Sequence, residues 1–489
     1  MPTKGAATLA RPIRPAVVLG ALGEFAPSLL LAPGVPIPVA LLAADWRTAG
    51  RCALSVAVIL LQWAVARRRW PSPGPDVRRN EALVIAALCF LLASAALVWP
   101  LMPPGIPPGS AVFEAVSAIT STGLSTFGNI DDRGVAVQFV RSWGQWYGGL
   151  AILVLALALT VRPGGLAVRL GNQEAARQDF LGSTRSRAMR VLVIYVALTV
   201  LCIAVLWAAT GSWRQGLMNG LTAVSTAGFA TQPSSLAGWN PTAQALAIVF
   251  SVAGAVSLLF WYRLAEDGWR HLLRDREAQM LIALIVAGAL LALLTEVSAR
   301  TGGLGSIDWS LVGTVAFASA SAQSTTGFSI VPATAFAPAT QVVLIGQMMV
   351  GADMGSTGGG IKVARFLVLL VVVRRALLET SLPEHAVAPP RLRGKPVDPA
   401  TITSALLVVC LYVATVTVAW GLLTALAVPP LPALFEAVSA TSTVGLSAGV
   451  AGPDATTAVK MVLAACMLLG RMEFLALLVV FMPHTWKGG

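Results

Sequence analysis

Charge is what this sequence has least of. Asp, Glu, Lys and Arg make up 11% of its 489 residues against 56% hydrophobic, and the mean hydropathy is +0.77. A soluble domain carries roughly a quarter charged residues. There is too little charge here to coat a water-facing surface, and a soluble enzyme is excluded. Histidine is nearly absent. His271, His385 and His484 are scattered, which excludes a His-built metal site or proton relay. The five cysteines (Cys52, Cys89, Cys202, Cys410, Cys466) stand singly in apolar runs with no CxxC, so buried structural thiols are expected rather than disulfides or a zinc site. There is no Walker-type phosphate loop, no nucleophile–base pair and no cluster of metal ligands. The expectation is a chain that is not an enzyme and binds no cofactor.

What charge there is has a sign. The 34 Lys+Arg exceed the 22 Asp+Glu and leave +12. A nucleic-acid partner would fit that excess, but basic cytoplasmic loops of a membrane protein account for it without one. Apolar stretches able to cross a hydrocarbon core of about 30 Å occur at 15–45 (interrupted by Pro33, Pro36 and Pro38), 52–66, 81–101, 137–161, 189–210, 243–262, 279–298, 339–373 (split by glycines), 402–427 and 457–482. Arg11 and Arg14 precede the first run as in a secretory signal, but no small-residue cleavage site follows, so it reads as an uncleaved anchor. Connectors 67–80, 161–190, 263–276 and 374–395 together hold 20 Lys/Arg, whereas 123–135, 227–242, 299–309 and 445–456 hold two. The first set is therefore expected inside, the second outside, with both termini cytoplasmic and ten spans. Arg47 and Arg51 would face outside and fit this less well.

Each outer connector repeats one pattern: a short, semi-apolar helical piece, then a Ser/Thr-rich turn on one glycine. The four read FEAVSAITSTGLST (113–126), LMNGLTAVSTAGFAT (217–231), FASASAQSTTGFSI (317–330) and LFEAVSATSTVGLSA (434–448). Their glycines, Gly123, Gly228, Gly327 and Gly445, are 105, 99 and 118 residues apart, and the first and last repeats share FEAVSA. The pieces are too short to span, and irregular backbone survives at membrane depth only against protein or a water-filled cavity. A short helix descending into the membrane, followed by a glycine turn climbing out, satisfies that rule. Four such units around an axis form a pore, in which glycine lets consecutive carbonyls replace the water shell of a cation. Thr122, Thr226, Thr326 and Thr443 are expected to add hydroxyl oxygens. The helices would aim their negative C-terminal ends at the pore centre, with Glu114 and Glu436 complementing the opposite, positive ends.

The stretch GQMMVGADMGSTGGGIKVARF (346–366) carries six glycines: Gly346, Gly351, Gly355, Gly358, Gly359 and Gly360. At about 1 kcal/mol each relative to alanine they do not hold a continuous helix, so a loop inside the bilayer beneath the glycine turns is expected. Asp353 in that loop could pair with Lys362. In the last span, Arg471 and Glu473 sit in an apolar run; two residues apart, they point to different sides of a helix and are not expected to pair. Arg263, at the end of the second repeat, is expected to snorkel to the cytoplasmic interface.

This arrangement, over residues 15–482, resembles the Trk/Ktr/HKT superfamily of potassium transporters, most closely its bacterial TrkH-type members. The resemblance implies an all-α integral membrane fold: four pseudo-symmetric span–pore loop–span repeats around a central ion pore, plus two extra N-terminal helices. On this sequence the units are 1–70 (extra helices), 71–175, 176–275, 276–395 (with the intramembrane loop) and 396–489. The resemblance further implies a selectivity filter of Thr122, Gly123, Leu124, Ala227, Gly228, Phe229, Thr326, Gly327, Phe328, Val444, Gly445 and Leu446. It implies K⁺ coordinated at Gly123, Gly228, Gly327 and Gly445 as the transported ion. In plant relatives serine in place of the first glycine goes with sodium; Gly123 implies potassium preference. Gly355, Ser356, Thr357, Gly358, Gly359, Gly360 and Lys362 match the family's gating loop, Asp353 being a departure from the small neutral residues expected there. Arg471 matches the arginine that projects into the pore beside it. The implied partners are a second copy of the chain, a TrkA-like nucleotide-binding cytoplasmic subunit and membrane lipids. The basic inner loops 161–190 and 374–395 offer surfaces for that subunit. The implied location is the bacterial inner membrane. A Na⁺-permeable relative, or one coupling K⁺ to Na⁺ or H⁺, stays open as an alternative. A membrane-embedded enzyme would need more than the adjacent acidic pair Asp131 and Asp132.

Overall fold

The computed structural model describes residues 12–70, 77–160, 173–272, 274–301, 309–381, 390–392 and 395–486. It is α-helical apart from a two-residue antiparallel ladder, Arg391–Leu392 against Lys395–Pro396. The basic connector residues 161–172 and 382–389, including His385, lie outside the described residues.

Two helices come first, Pro15–Leu42 (α1) and Trp46–Arg69 (α2). Asp45 caps α2 by accepting from Thr48 N, and Arg67, Arg68 and Arg69 close it at the end where cations suit the helix dipole. The chain then makes four passes of one plan. The first helices of the passes are Arg79–Val98 (α3), Gln173–Thr210 (α6), Arg276–Thr301 (α10) and Pro399–Ala425 (α14). The short helices are Pro108–Ile119 (α4), Trp213–Val224 (α7), Trp309–Gln323 (α11) and Pro430–Thr441 (α15). At 12 to 15 residues and 1.5 Å per residue they cannot cross the bilayer. The returning segments are Gly134–Thr160 (α5), Pro241–Ala255 with Leu258–Asp267 (α8, α9), Pro338–Val350 with Val363–Glu379 (α12, α13), and Thr457–Arg471 with Leu475–Phe481 (α16, α17).

Burial sorts these helices radially. The apolar windows of α2, α6, α10 and α14 are only 22–28% buried, so their Leu and Val side chains face outward, as lipid contact requires. The short helices are buried along most of their length. They form the core that the outer ring protects. The termini meet on one side, where Ile13 N donates to Thr485 O at 2.9 Å and Arg14 pairs with the buried Glu81 at 2.8 Å.

One sequence expectation changes here. Among the described residues, six helices are long and apolar enough to span, or up to eight if each bent pair counts as one; the other two of the ten expected segments correspond to α5 and to α12 with α13, which the glycine-rich loop divides. The spans at 243–262 and 457–482 are not continuous: α8 and α9 meet at 93°, α16 and α17 at 114°. Neither break contains proline or glycine. At 472–474 the helix ends because Glu473 and Phe474 take positive φ (50° and 63°), with Phe474 N returning to Leu469 O at 2.8 Å. The cysteines also divide: Cys52, Cys202 and Cys466 are buried, Cys89 is half-buried and Cys410 is exposed on α14.

Candidate functional site: four glycine turns and the loop beneath them

Each short helix ends in the same way. Two backbone bonds close it, for example Ser121 N to Ala118 O (3.0 Å) and Thr122 N to Ser117 O (2.9 Å), and the other three repeats match them. This is a Schellman end, which needs a left-handed residue after the cap. That residue is Ser121, Thr226, Thr325 or Thr443, with φ of 49°, 48°, 56° and 50°. Serine and threonine pay for that conformation, of the order of 1–3 kcal/mol each, and glycine usually holds the place. Four strained residues in equivalent positions are compensated by the packing around them.

Two residues further on come Gly123, Gly228, Gly327 and Gly445, all at positive φ (94°, 71°, 81°, 98°). A Cβ on Gly123 would lie 2.0 Å from Ala227 O, on Gly228 2.2 Å from Thr326 O, on Gly327 2.1 Å from Val444 O, and on Gly445 2.2 Å from Thr122 O. The contacts run from repeat one to two, two to three, three to four, and back to one. The four turns therefore close into a ring, each glycine against the carbonyl preceding the next glycine. The side chains of Leu124, Phe229, Phe328 and Leu446 behind the glycines are buried and wedge the ring from outside.

The threonine hydroxyls form no single set. Thr122 and Thr326 directly precede their glycines and bond to Thr120 Oγ1 (2.8 Å) and Ser324 Oγ (2.9 Å). Thr226 and Thr443 stand one residue earlier, Thr226 Oγ1 lying 3.1 Å from Thr357 Oγ1.

Glu114 and Glu436 do not serve the N-termini of their own helices as expected. Each reaches across to the strand-like segment that climbs away from the ring. Glu114 Oε1 accepts from Thr126 N (2.6 Å), Phe127 N (3.3 Å) and Ser125 Oγ (2.7 Å); Glu436 Oε1 accepts from Ala448, Val450 and Ala451 N (3.1–3.2 Å) and from Ser447 Oγ. Glu114 is also ion-paired with Arg141 of α5 at 3.0 Å, their side chains 0% and 4% exposed. Removing one partner of a buried pair leaves an uncompensated charge, which costs about 3–5 kcal/mol. Arg141→Met should accordingly lower the thermal unfolding temperature of the detergent-solubilised protein markedly, and Glu114→Gln added to it should recover most of the loss. Equal unfolding temperatures for wild type and the single variant would refute this account.

The returning helices approach just as closely. A Cβ on Gly148 would meet Ile119 O at 2.0 Å, on Gly254 Val224 O at 2.3 Å, and on Gly470 Thr441 O at 1.8 Å. These carbonyls are the last of α4, α7 and α15. In the third repeat the arrangement inverts: Gln323, the last residue of α11, donates its Nε2 to Gly351 O at 2.6 Å. The sequence reading missed this inner set. Its signal was a glycine 24 to 26 residues after each turn glycine: Gly148, Gly254, Gly351 and Gly470.

Between α12 and α13 the chain leaves the helix and forms a loop. It folds on itself, Ile361 N and Lys362 N donating to Met349 O and Val350 O (3.0 Å each). Its tip reaches three repeats. Thr357 Oγ1 bonds to Val224 O (3.1 Å) and Gly254 O (3.0 Å); Gly359 N donates to Thr325 Oγ1 (2.8 Å); a Cβ on Gly359 would meet Ser442 O at 2.0 Å. Gly358 has no room for a Cβ either, at 2.3 Å from Ala352 Cβ. Gly355 and Gly360 supply positive φ (79° each), and Ser356 Oγ donates to Asp353 O at 2.6 Å. Arg471, at the break in the last repeat, donates to Thr357 O (2.7 Å) and to Gly148 O (3.3 Å), so the loop is tied to all four repeats. Its Nε is buried without a hydrogen-bond partner among the described residues.

Asp353 and Lys362 do not form the expected pair. Asp353 accepts from Met354 N (2.8 Å) and Ser257 N (3.3 Å), capping α9, while Lys362 Nζ donates to Gly358 O. Glu473 pairs with Arg365 at 2.5 Å, not with Arg471. Arg263 is exposed on α9. Among the described residues no group of His, Cys, Asp and Glu could hold a metal ion.

The profile of the TrkH family, described as cation transport protein, matches residues 94–487. The chain is 27% identical over 415 residues to an uncharacterised cation transporter of Methanocaldococcus jannaschii, covering 84% of each. It is 29% identical over 440 residues to the Trk system potassium uptake protein TrkH of Halomonas elongata, covering 84% of this chain and 87% of that one. The crystal structure of the potassium transporter TrkH from Vibrio parahaemolyticus superposes with a TM-score of 0.83 at 22% identity, over 99% of this chain and 100% of that one, which is a likeness of fold.

Proposed function

The chain belongs to the TrkH family of cation transport proteins, and from that premise we propose that it takes up potassium ions across the bacterial cytoplasmic membrane. The observation that carries this reading is the closed ring of Gly123, Gly228, Gly327 and Gly445, supported by curated relatives named for potassium uptake. On this reading the ring segments are the selectivity filter, their backbone carbonyls taking the place of the ion's water shell. The four helix C-termini add their negative dipole ends. Inward movement of one charge gains about 2.3 kcal/mol per 100 mV, so no catalytic group is needed.

The loop 351–362 is the gate. It lies against the last turns of α7, α11 and α15, and its tip has no slack: carbonyls or side chains surround Gly358 and Gly359. Arg471 holds it and adds a fixed positive charge that opposes a passing cation. A chain without a nucleotide-binding motif takes nucleotide control from a partner, here a TrkA-like cytoplasmic subunit, and two copies of the chain make the membrane part. The repeats correspond to 71–175, 176–275, 276–395 and 396–489, and both termini face the cytoplasm.

The test is growth of a potassium-uptake-deficient bacterial strain at low external K⁺, with and without a co-expressed regulatory subunit. Growth that requires the chain is expected. Absence of growth with the protein present in the membrane under both conditions, and no K⁺ flux in vesicles, would overturn the reading.

A further inference from the structure

Three of the four ring segments are clamped by a serine of their own short helix, six residues before the glycine. Ser117 Oγ accepts from Gly123 N (3.1 Å) and donates to Leu124 O (2.7 Å); Ser321 Oγ donates to Phe328 O (2.6 Å); Ser439 Oγ accepts from Gly445 N (3.1 Å). The second repeat has Thr222 in that place, and its hydroxyl turns back to Asn219 O on the helix (3.1 Å). The brace comes from another repeat instead. Gln145, fully buried on α5, donates Nε2 to Ala227 O at 2.6 Å and accepts from Phe229 N at 3.2 Å. One side-chain amide thus straddles Gly228. The orientation of that amide is fixed by its partners, since a carbonyl only accepts and a backbone N–H only donates.

Ala227 O is also the carbonyl that Gly123 packs against, so the same bond sets the seam between the first and second repeats. One turn earlier on the same face of α5, Arg141 lies 3.8 Å from the centroid of the Phe229 ring. α5 therefore holds the second segment at both its backbone and its side chain. A carbonyl that already accepts a short hydrogen bond has less freedom to tilt toward an ion than its three counterparts.

We propose that Gln145 is a positioning residue for the second ring segment, and through it a determinant of which monovalent cation the ring prefers. This rests on the filter reading above. Among the described residues the second is the ring segment whose glycine is straddled by a side chain from another repeat, and ion preference responds to the placement of its carbonyl.

The test uses the full chain in vesicles, comparing K⁺, Rb⁺ and Na⁺ flux for wild type, Gln145→Leu, and Gln145→Leu with Thr222→Ser. Leucine nearly matches glutamine in volume and removes both hydrogen bonds. The K⁺-over-Na⁺ ratio should fall about fivefold to tenfold, the factor associated with one lost hydrogen bond. Serine at 222 should restore much of it by supplying the clamp used in the other repeats, which a general packing defect would not allow. A ratio unchanged in Gln145→Leu, or lowered without recovery on adding Thr222→Ser, would overturn the proposal. Should wild type itself carry no cation, the filter reading fails, and that is visible without the variants. Hydrogen exchange of the peptide covering 225–231 then still decides the brace: faster exchange in Gln145→Leu, slowed again by Thr222→Ser, is expected, and identical exchange in all three counts against it. A Gln145→Leu protein too unstable to purify is replaced by Gln145→Met, which keeps the unbranched shape and removes both the donor to Ala227 O and the acceptor for Phe229 N; it should lower the ratio too, and an unaltered ratio refutes the brace.

Discussion

Alanine at Gly228, Gly327 or Gly445 should cut potassium uptake about tenfold to a hundredfold while leaving the protein in the membrane. The new Cβ would stand 2.1–2.2 Å from a carbonyl oxygen of the next repeat, far inside van der Waals contact. Overpacking of this kind costs about 1–3 kcal/mol where neighbours can shift, and each 1.4 kcal/mol is tenfold. Here the neighbour is backbone, and it is the ring itself that must move. The positive φ of each glycine adds strain for any L side chain. Gly123→Ser meets Ala227 O at 2.0 Å and should relax K⁺-over-Na⁺ preference as well as slow uptake. Gly421 on α14 has open space where a Cβ would stand, with nothing within 4 Å, and provides the control, since Gly421→Ala should grow like wild type. Growth at low K⁺ and tracer uptake measure both. Full-rate uptake by Gly327→Ala would show that the ring is not the ion path.

Loosening the loop beneath the ring should act in the opposite direction. Arg471→Ala removes the bond to Thr357 O and the bond to Gly148 O together with one positive charge. A unit charge some 10 Å from an ion, at an effective dielectric of about 20, is worth roughly 1.7 kcal/mol. The expected result is a rise in vesicle K⁺ flux of about tenfold or more. Deleting 355–360 should raise flux further, since it takes away the segment that fills the space under α7, α11 and α15. Because that segment also anchors α9, Gly355 O accepting from Leu258 N at 3.2 Å, the arginine variant is the safer of the two for folding. Flux in both variants equal to wild type would remove the gate from this loop.

Much of the architecture was readable from residue order because it rests on patterns of hydropathy and local backbone chemistry. Runs of apolar residues specify helices in lipid, since nothing else satisfies the backbone there. Four recurrences of a Ser/Thr-rich turn on one glycine marked the ring, because only glycine tolerates both the backbone angle and the close approach. The six glycines of 346–366 marked the loop by their cost to a helix. Arg471 stood out because charge is rare in an apolar run. Family membership then followed from the sequence profile over 94–487.

Tertiary structure decided what depends on partners distant in the chain. The breaks at 255–258 and 472–474 have no proline or glycine within them. Each follows a glycine seated on the last carbonyl of a short helix, but Gly148 sits as closely on Ile119 O within the unbroken α5; what marks the breaks is where their own backbone amides bond, Ser257 N on Asp353 and Phe474 N on Leu469 O. Glu114 and Glu436 looked like helix-end groups, but each binds backbone that arrives 12 to 15 residues later. The brace from Gln145 to Ala227 and Phe229 joins residues 82 and 84 apart, which no local pattern reveals. Sequence by itself determined the spans, the fourfold repeat and the glycines, since these follow from solvent and steric limits on single residues. The closure of the ring, the seat of the loop and the partner of each buried polar group were settled only by packing, where a buried donor or acceptor must find a mate wherever the fold places one.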